Sequence, residues 1–365
     1  MLPLLTFLAA LQLSSAYRSE RPKTSSSLFI LDEGVGHRST PVTRWRTSIR
    51  STTTQGTNAT IIQQLGPENN PDQPIGAYSL AYSPSTSSLY SATGEGIIRT
   101  DIDGSNPKIL ITEDTIMSVT VAEKEGKIYY STLTEGLIKR AELDGSNVEV
   151  VRNVSQGINL SYGASYTPAY FYAGGVLVDE EKGWLYWSAS GGEHDGSVRR
   201  AALKSQDQEQ EQVLASGINL PGQLRLVGDT LFWAEIGRWG DSPTAIKRID
   251  LSQVRKSPVQ PSSTTSSPVA YATQTVVHSN QSASIFVAID YTGGLSTVAI
   301  QSFVVRGDGA EQKIWFVGMS AERTMFGKLV EITWKGSGDE EKAELKVLNQ
   351  DTKDLGVPVG LEYVD

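Results

Sequence analysis

Residues 89–111 read LYSATGEGIIRTDIDGSNPKILI, and residues 128–151 read IYYSTLTEGLIKRAELDGSNVEVV. Both stretches contain an alternating strand, a glycine turn, a second strand that ends in Asp-Gly-Ser-Asn, and a third strand. The turn residues Asp103 and Asp144 lie about forty residues apart, a spacing typical of four-stranded propeller blades. This near repeat therefore predicts a β-propeller.

Strands that carry pairs of aromatic or aliphatic residues recur along the chain between turns rich in Gly, Asn, Asp and Ser, without a long stretch of helical periodicity. Six such strands occur, at residues 28–30, 89–90, 128–130, 184–187, 231–233 and 314–316. We therefore expect an all-β fold, a six-bladed β-propeller of four-stranded antiparallel blades over residues 27–365. Seven blades are the alternative, because residues 257–309 are hard to divide into strands.

The C-terminal residues 356–365, GVPVGLEYVD, have the pattern of the innermost strand of a blade and end in Asp365. The strands that should complete this blade begin at residues 27–32, SLFILD. We therefore expect the first blade to be closed by the C-terminal strand. Such a closure removes the open edge that a ring of sheets would otherwise expose.

The unit at residues 174–205, GGVLVDEEKGWLYWSASGGEHDGSVRRAALKS, resembles the YWTD repeat of low-density-lipoprotein-receptor class B propellers. In that family an inner strand ending in Asp precedes a Leu-Tyr-Trp-Thr-Asp strand and an Ile-x-Arg-x-x-Leu-Asp-Gly-Ser strand. Asp179, residues 185–188 and residues 198–203 stand at those places here. The resemblance covers residues 75–250 best, although the full Tyr-Trp-Thr-Asp tetrad does not occur. It implies a propeller that acts as a soluble, single-domain binding module.

Residues 1–16, MLPLLTFLAALQLSSA, have the short apolar run and small terminal residues of a secretory signal peptide. We expect an N-terminal extension at residues 17–26, a Ser/Thr/Pro-rich loop at 252–270 inside the propeller domain, and secretion to the extracellular space. In a secreted chain the Asn-x-Ser/Thr triplets become candidate glycosylation sites, at Asn58, Asn153, Asn159 and Asn280.

The chain has no cysteine and a formal net charge of −9. Stability must therefore come from core burial, and thiol catalysis is excluded. The negative charge argues against nucleic acid and anionic membranes as partners. We expect a monomer without a cofactor, whose partner is an extracellular protein, a glycan or a small molecule.

The loops that join the second and third strands of each blade gather with the inter-blade connections at one end of a propeller. Tyrosines 162, 166 and 170 fall in one such connection, and Arg238 and Trp239 fall in a loop of the fifth blade. Aromatic and charged residues at one mouth are typical of a ligand site, so these five residues are our candidates for ligand binding: Tyr162, Tyr166, Tyr170, Arg238 and Trp239. A tyrosine-rich lid that packs on itself is the structural alternative.

A propeller enzyme, such as a hydrolase, lyase or cyclase, is the alternative function. Its candidate acid and base groups are His37, His194, Glu33 and Asp195, which lie in glycine-rich acidic loops. Glu33, His194 and Asp195, together with Asp32, offer oxygen and nitrogen ligands for a divalent cation, but the spacing of these residues is not specific for a metal site. Glu33 also stands where gluconolactonase-type propellers carry an early metal ligand, but the remaining ligands have no match.

Overall fold

Six four-stranded antiparallel sheets form the computed structural model of the protein. The structure describes residues 26–34, 46–57, 59–66, 75–113, 116–133, 135–154, 172–190, 196–204, 211–218, 220–235, 245–254, 274–278, 298–307, 311–320, 327–335, 342–348 and 355–365. Within these residues no helix is long and apolar enough to cross a membrane.

The strands follow one another blade by blade along the chain. The first three blades contain β1 (Ser27–Asp32), β2 (Ser48–Thr53) and β3 (Thr60–Gln64); β4 (Ala77–Ser83), β5 (Ser88–Thr93), β6 (Gly96–Asp101) and β7 (Lys108–Ile111); and β8 (Ile116–Ala122), β9 (Lys127–Thr132), β10 (Leu137–Glu142) and β11 (Glu149–Asn153). Blades four and five contain β12 (Tyr172–Asp179), β13 (Trp184–Ser190), β14 (Gly196–Ala202) and β15 (Gln212–Ile218); and β16 (Pro221–Val227), β17 (Thr230–Glu235), β18 (Ala245–Asp250) and β19 (Gln274–His278). Blade six contains β20 (Val298–Arg306), β21 (Glu311–Ser320), β22 (Lys328–Lys335) and β23 (Lys342–Val347), and β24 (Pro358–Val364) returns to blade one.

The C-terminal strand closes the ring as the sequence predicts. Strand β24 pairs with β1 from Ser27↔Val364 to Asp32↔Pro358, and blade one has the strand order β24-β1-β2-β3. The inner strands β4, β8, β12, β16, β20 and β24 contact one another in that cyclic order. The six-bladed fold is therefore confirmed, and the seven-bladed alternative is wrong.

Apolar side chains fill the space between successive blades. Each of the six core clusters combines strands of two adjacent blades, for example Tyr130 of blade three with Tyr90 of blade two. Trp187 and Trp233 are fully buried in two of these clusters. The aromatic pairs that mark the second strands in the sequence thus supply most of the large core side chains.

Every inner strand pairs irregularly near its N-terminal end, and a hydrogen bond to the next blade follows this β-bulge at four of the six junctions. A side-chain oxygen within or directly after the bulge accepts a backbone N–H from the next inner strand. The four pairs are Ser79 with Val119 (3.5 Å), Ser118 with Val176 (3.2 Å), Gln223 with Phe303 (2.9 Å) and Ser302 with Leu361 (2.9 Å).

Glycine occupies the same position at the other two junctions. A Cβ on Gly175 would lie 2.5 Å from the Gly222 carbonyl oxygen, and a Cβ on Gly360 would lie 2.9 Å from the Leu80 Cβ. Other hydroxyl groups replace the missing hydrogen bond. Ser188 accepts from the Gly175 N–H at 2.6 Å and donates to Gly222 at 2.9 Å, while Thr47 donates to the Ile75 carbonyl at 2.6 Å.

Replacing Ser302 by Ala tests this ring of hydrogen bonds. The Ser302 hydroxyl is buried, donates to Gln223 Oε1 at 2.6 Å and accepts from Leu361 N. Its loss removes a hydrogen-bond partner from Gln223 Oε1 and from the Leu361 N–H, so we expect the free energy of unfolding to fall by about 2 kcal/mol. Urea unfolding followed by tryptophan fluorescence measures the change. Ser105→Ala, in an exposed turn, is the control, and an equal loss in both variants would contradict the prediction.

Candidate functional site

The second strand of each blade ends, and the third strand begins, at one end of the ring, which we call the loop face. Each outer strand ends at this face and the inner strand of the next blade begins there. Among the predicted site residues, Glu33 and Asn153 are described by the structure. The others lie outside the described residues: His37, His194, Asp195, Tyr162, Tyr166, Tyr170, Arg238, Trp239, Asn58, Asn159 and Asn280. Their predicted roles stay predictions.

Asp32 organises the loop face where β1 ends. Its fully buried carboxylate accepts N–H groups from Gly34 at 3.0 Å and from Gly356 at 2.9 Å, and Arg50 Nε donates to it at 3.0 Å. Several hydrogen bonds and a cation together compensate for burial of the charge. One side chain therefore fixes the start of the β1–β2 connection, the residues before β24 and the neighbouring strand β2.

The backbone of Glu33, the residue after Asp32, is fixed by hydrogen bonds at both its N–H and its carbonyl. Its N–H donates to the Val357 carbonyl at 2.9 Å, and the Thr47 hydroxyl donates to its carbonyl at 3.4 Å. The residue is half-buried at the loop face. Glu33 therefore stands on a fixed backbone next to the place where β24 pairs with β1 and closes the ring.

Tyr78 lies within electrostatic range of Glu33, and sequence reasoning missed it. Tyr78 is the extra residue of the β4 bulge, between Ala77 and Ser79. Its hydroxyl oxygen lies next to Gly76, where a Cβ would approach it to 2.8 Å. Burial, and then the charge of Glu33, raise the pKa of the Tyr78 hydroxyl above its ordinary value. The phenol therefore stays protonated and can donate a hydrogen bond near a carboxylate.

A second polar group lies on the loop face between blades two and three. Glu113 accepts a hydrogen bond from the Tyr130 hydroxyl at 3.0 Å and forms an ion pair with Lys139. Lys139 also contacts Glu135 Oε2 at 2.7 Å. Burial and the adjacent Glu113 raise the pKa of Tyr130. The group combines two carboxylates with one lysine, so the described part of this face carries excess negative charge at that junction.

Arg225 crosses from blade five to blade one near the axis of the ring. From β16 its Nε donates to the Phe303 carbonyl of β20 at 2.9 Å. Its Nη2 donates to the Leu361 carbonyl of β24 at 2.8 Å and to Glu362 Oε1 at 2.6 Å. The Arg225 and Glu362 side chains are 20% and 13% exposed, so the ion pair is largely shielded from water. Three inner strands are thereby joined by one side chain.

The described residues contain no group of three or more His, Cys, Asp or Glu side chains that could hold a metal ion. Two oxygens of Asp32 are already engaged by backbone N–H groups and Arg50. The predicted ligands His194 and Asp195 lie outside the described residues. The expectation that the protein has no cofactor therefore stays a prediction.

Replacing Arg225 by Met should destabilise the ring, because Glu362 then keeps a buried charge without its partner. We expect the free energy of unfolding at neutral pH to fall by about 3 kcal/mol. Burial already raises the pKa of Glu362 against the opposing effect of Arg225. A raised pKa in the folded state means that protonation favours folding, so the deficit should shrink as the pH falls towards the ordinary range of a carboxyl group.

Urea unfolding at several pH values measures this effect. The double variant Arg225→Met/Glu362→Gln should recover part of the loss, and Lys124→Met, in an exposed ion pair with Glu181, should change stability by less than about 0.5 kcal/mol. A deficit that is independent of pH in Arg225→Met would contradict the account.

No protein-family model matches this chain. Low-density lipoprotein receptor-related protein 1 of Pyricularia oryzae (strain 70-15) is 30% identical over 233 residues, which cover 60% of this chain and 72% of that protein. A propeller chain in a crystal structure of a nidogen/laminin complex superposes with a TM-score of 0.57 and 14% identity, over 93% of this chain and 98% of that chain.

A gluconolactonase of Xanthomonas campestris also has a related structure. Its TM-score is 0.44 at 11% identity, over 76% of this chain and 87% of that one, and a likeness at this level carries no functional argument. The sequence identity to the receptor-related protein and the six-bladed fold agree with each other. The chain belongs to the family of low-density-lipoprotein-receptor-type YWTD β-propellers.

Proposed function

We propose that this protein is a secreted, glycosylated propeller that binds an extracellular protein through its loop face. The observation that carries the proposal is the rigid presentation of Glu33 beside Tyr78. Asp32 and the Val357 carbonyl hold the backbone on which Glu33 stands. A carboxylate on a fixed backbone, within electrostatic range of an amphipathic aromatic side chain, can bind a cationic side chain of a partner at a lower ordering cost than a carboxylate on a flexible backbone.

Charge at the neighbouring junction supports a basic partner surface. Glu113 and Glu135 share a single lysine, Lys139, so this part of the loop face is negative. Rim charges of this kind set the association rate and the orientation of protein complexes. A face with fixed acidic groups on a stable ring therefore suits a protein ligand with a basic surface better than it suits an uncharged ligand.

The comparison with a nidogen/laminin complex gives independent support, since that complex contains a propeller of the same fold together with another protein. A glycan or small-molecule ligand would depend chiefly on Tyr162, Tyr166, Tyr170, Arg238 and Trp239. The enzyme alternative depends on Glu33 together with His37, His194 and Asp195. Apart from Glu33, these residues lie outside the described parts of the chain, and no described contact pairs Glu33 with a second acid or base group of that alternative.

The proposals of secretion and glycosylation rest on the sequence, and the described position of Asn153 is compatible with them. Asn153 is the last residue of β11, the outer strand of blade three, and is half-buried. The side chain thus lies at the periphery of the ring, where an attached glycan is compatible with the core. The apolar residues 1–16 supply the signal that would direct the chain to the glycosylation machinery.

Binding is tested with the biotinylated chain, expressed through a secretory pathway, as bait for proteins of the culture medium. Captured proteins are identified by mass spectrometry, purified and measured by biolayer interferometry. We expect Glu33→Gln/Tyr78→Phe to raise the Kd by about tenfold, because the fixed charge and hydroxyl are lost. Glu181→Gln, on the opposite face and 80% exposed, is the matched control.

Equal affinities of the double variant and the wild type would contradict a site at Glu33 and Tyr78. Capture of a glycan or metabolite in place of a protein would contradict the assignment of the partner class.

Glycosylation at Asn153 is tested separately by mass spectrometry of the secreted chain before and after removal of N-glycans. Asn153→Gln should remove the mass of one glycan, because the acceptor amide is lost. Asn147→Gln changes an asparagine in the same blade that is not followed by the acceptor pattern, and should leave the mass of glycan unchanged. An unaltered glycan mass in Asn153→Gln would show that this site is not used.

A further inference from the structure

The outer strands of the six blades differ in how regular their exposed edges are. An outer strand presents unpaired backbone groups that can template pairing with another chain, and proteins commonly interrupt such edges with bulges. Five of the outer strands here shift register against their neighbour after only one or two paired residues. The five are β3, β7, β11, β15 and β19.

Strand β23 is the exception. Its pairing with β22 runs without a shift through six consecutive pairs, from Val330↔Val347 to Lys335↔Lys342. The backbone of blade six therefore ends in a straight edge about three times longer than the regular segment of the other outer strands. Within the described residues, β22 is the strand that pairs with β23, and the opposite edge of β23 borders no strand.

The residue types along this edge alternate in a simple way. Positions 342, 344 and 346 are Lys, Glu and Lys, and positions 343, 345 and 347 are Ala, Leu and Val. Lys346 is exposed, whereas Val347 packs against the core cluster between blades five and six. The alternation of a strand thus places positions 342, 344 and 346 on one side of the sheet.

We propose that β23 is the interface through which two copies of this chain associate, by antiparallel pairing of one β23 with the other. A two-fold axis at position 345 sets Glu344 of each copy opposite Lys346 of the other, and Ala343 opposite Val347. Both cross-strand charge pairs are then favourable. An axis at position 344 would instead oppose two glutamates and two pairs of lysines, so charge selects the first register.

This pairing changes the expectation of a purely monomeric protein. Main-chain hydrogen bonds between two six-residue edges supply affinity in the manner of β-strand addition. The contact is smaller than a standard protein–protein interface, so we expect a weak dimer with a Kd of about 100 µM. The inference is independent of the ligand that the loop face binds.

The proposal is tested by sedimentation velocity of the full secreted chain over a concentration series from about 1 to about 300 µM. Wild type should shift from monomer to dimer across this range. Lys346→Glu and Glu344→Lys should each weaken self-association by about tenfold, because both symmetric charge pairs become repulsive. An equimolar mixture of the two variants should dimerise again, since each then supplies the charge that the other needs.

Lys108→Glu is the matched control. Lys108 is exposed and pairs with Arg99 on the neighbouring strand β6, at the same register position at which Lys346 of β23 pairs with Glu331 of β22. Unlike Lys346, Lys108 lies on a bulged edge. Its replacement should leave self-association unchanged. A wild type that stays monomeric over the whole series overturns the proposal. So does a dimer that the two β23 variants leave intact, or one that Lys108→Glu weakens to the same extent.

Discussion

The backbone of the innermost strands imposes the main constraint on this ring. Each inner strand lies beside the axis, and its N–H after the bulge cannot reach a strand of its own blade. A buried N–H without an acceptor is costly. At four junctions the preceding blade supplies an acceptor, from Ser79, Ser118, Gln223 and Ser302. At the two glycine junctions other hydroxyl groups form the hydrogen bonds between blades, so each blade depends on its neighbours around the ring.

Several of the described contacts between blades are made inside the ring, by short hydroxyl and amide side chains and by the ion pair of Arg225 with Glu362. At the loop face, Asp32 ties β1 to the residues before β24, and the Glu33 N–H adds a hydrogen bond to the Val357 carbonyl. Under the proposed function, closure of the ring and presentation of Glu33 are therefore linked at the Asp32 carboxylate.

Sequence alone predicts the blades well, since aromatic pairs such as those in 128–130 and turns such as Asp-Gly-Ser-Asn are local signals. It singles out Glu33, in a glycine-rich acidic loop, as a candidate acid or base group, and that role stays a prediction. Tyr78 and Arg225 are missed for a physical reason. Both lie in ordinary alternating strands, and their importance comes from a register shift or from carbonyls of other blades. Such partners become visible only when the ring is closed.

The pairing of β24 with β1 also has a consequence for synthesis. Asp32 and Gly356, which are hydrogen-bonded, are 324 residues apart along the chain. Contacts between such distant residues close a large loop and slow folding. During synthesis β1 must therefore wait with an open edge until Pro358–Val364 have been made. During that interval the nascent protein is exposed to mispairing at this edge.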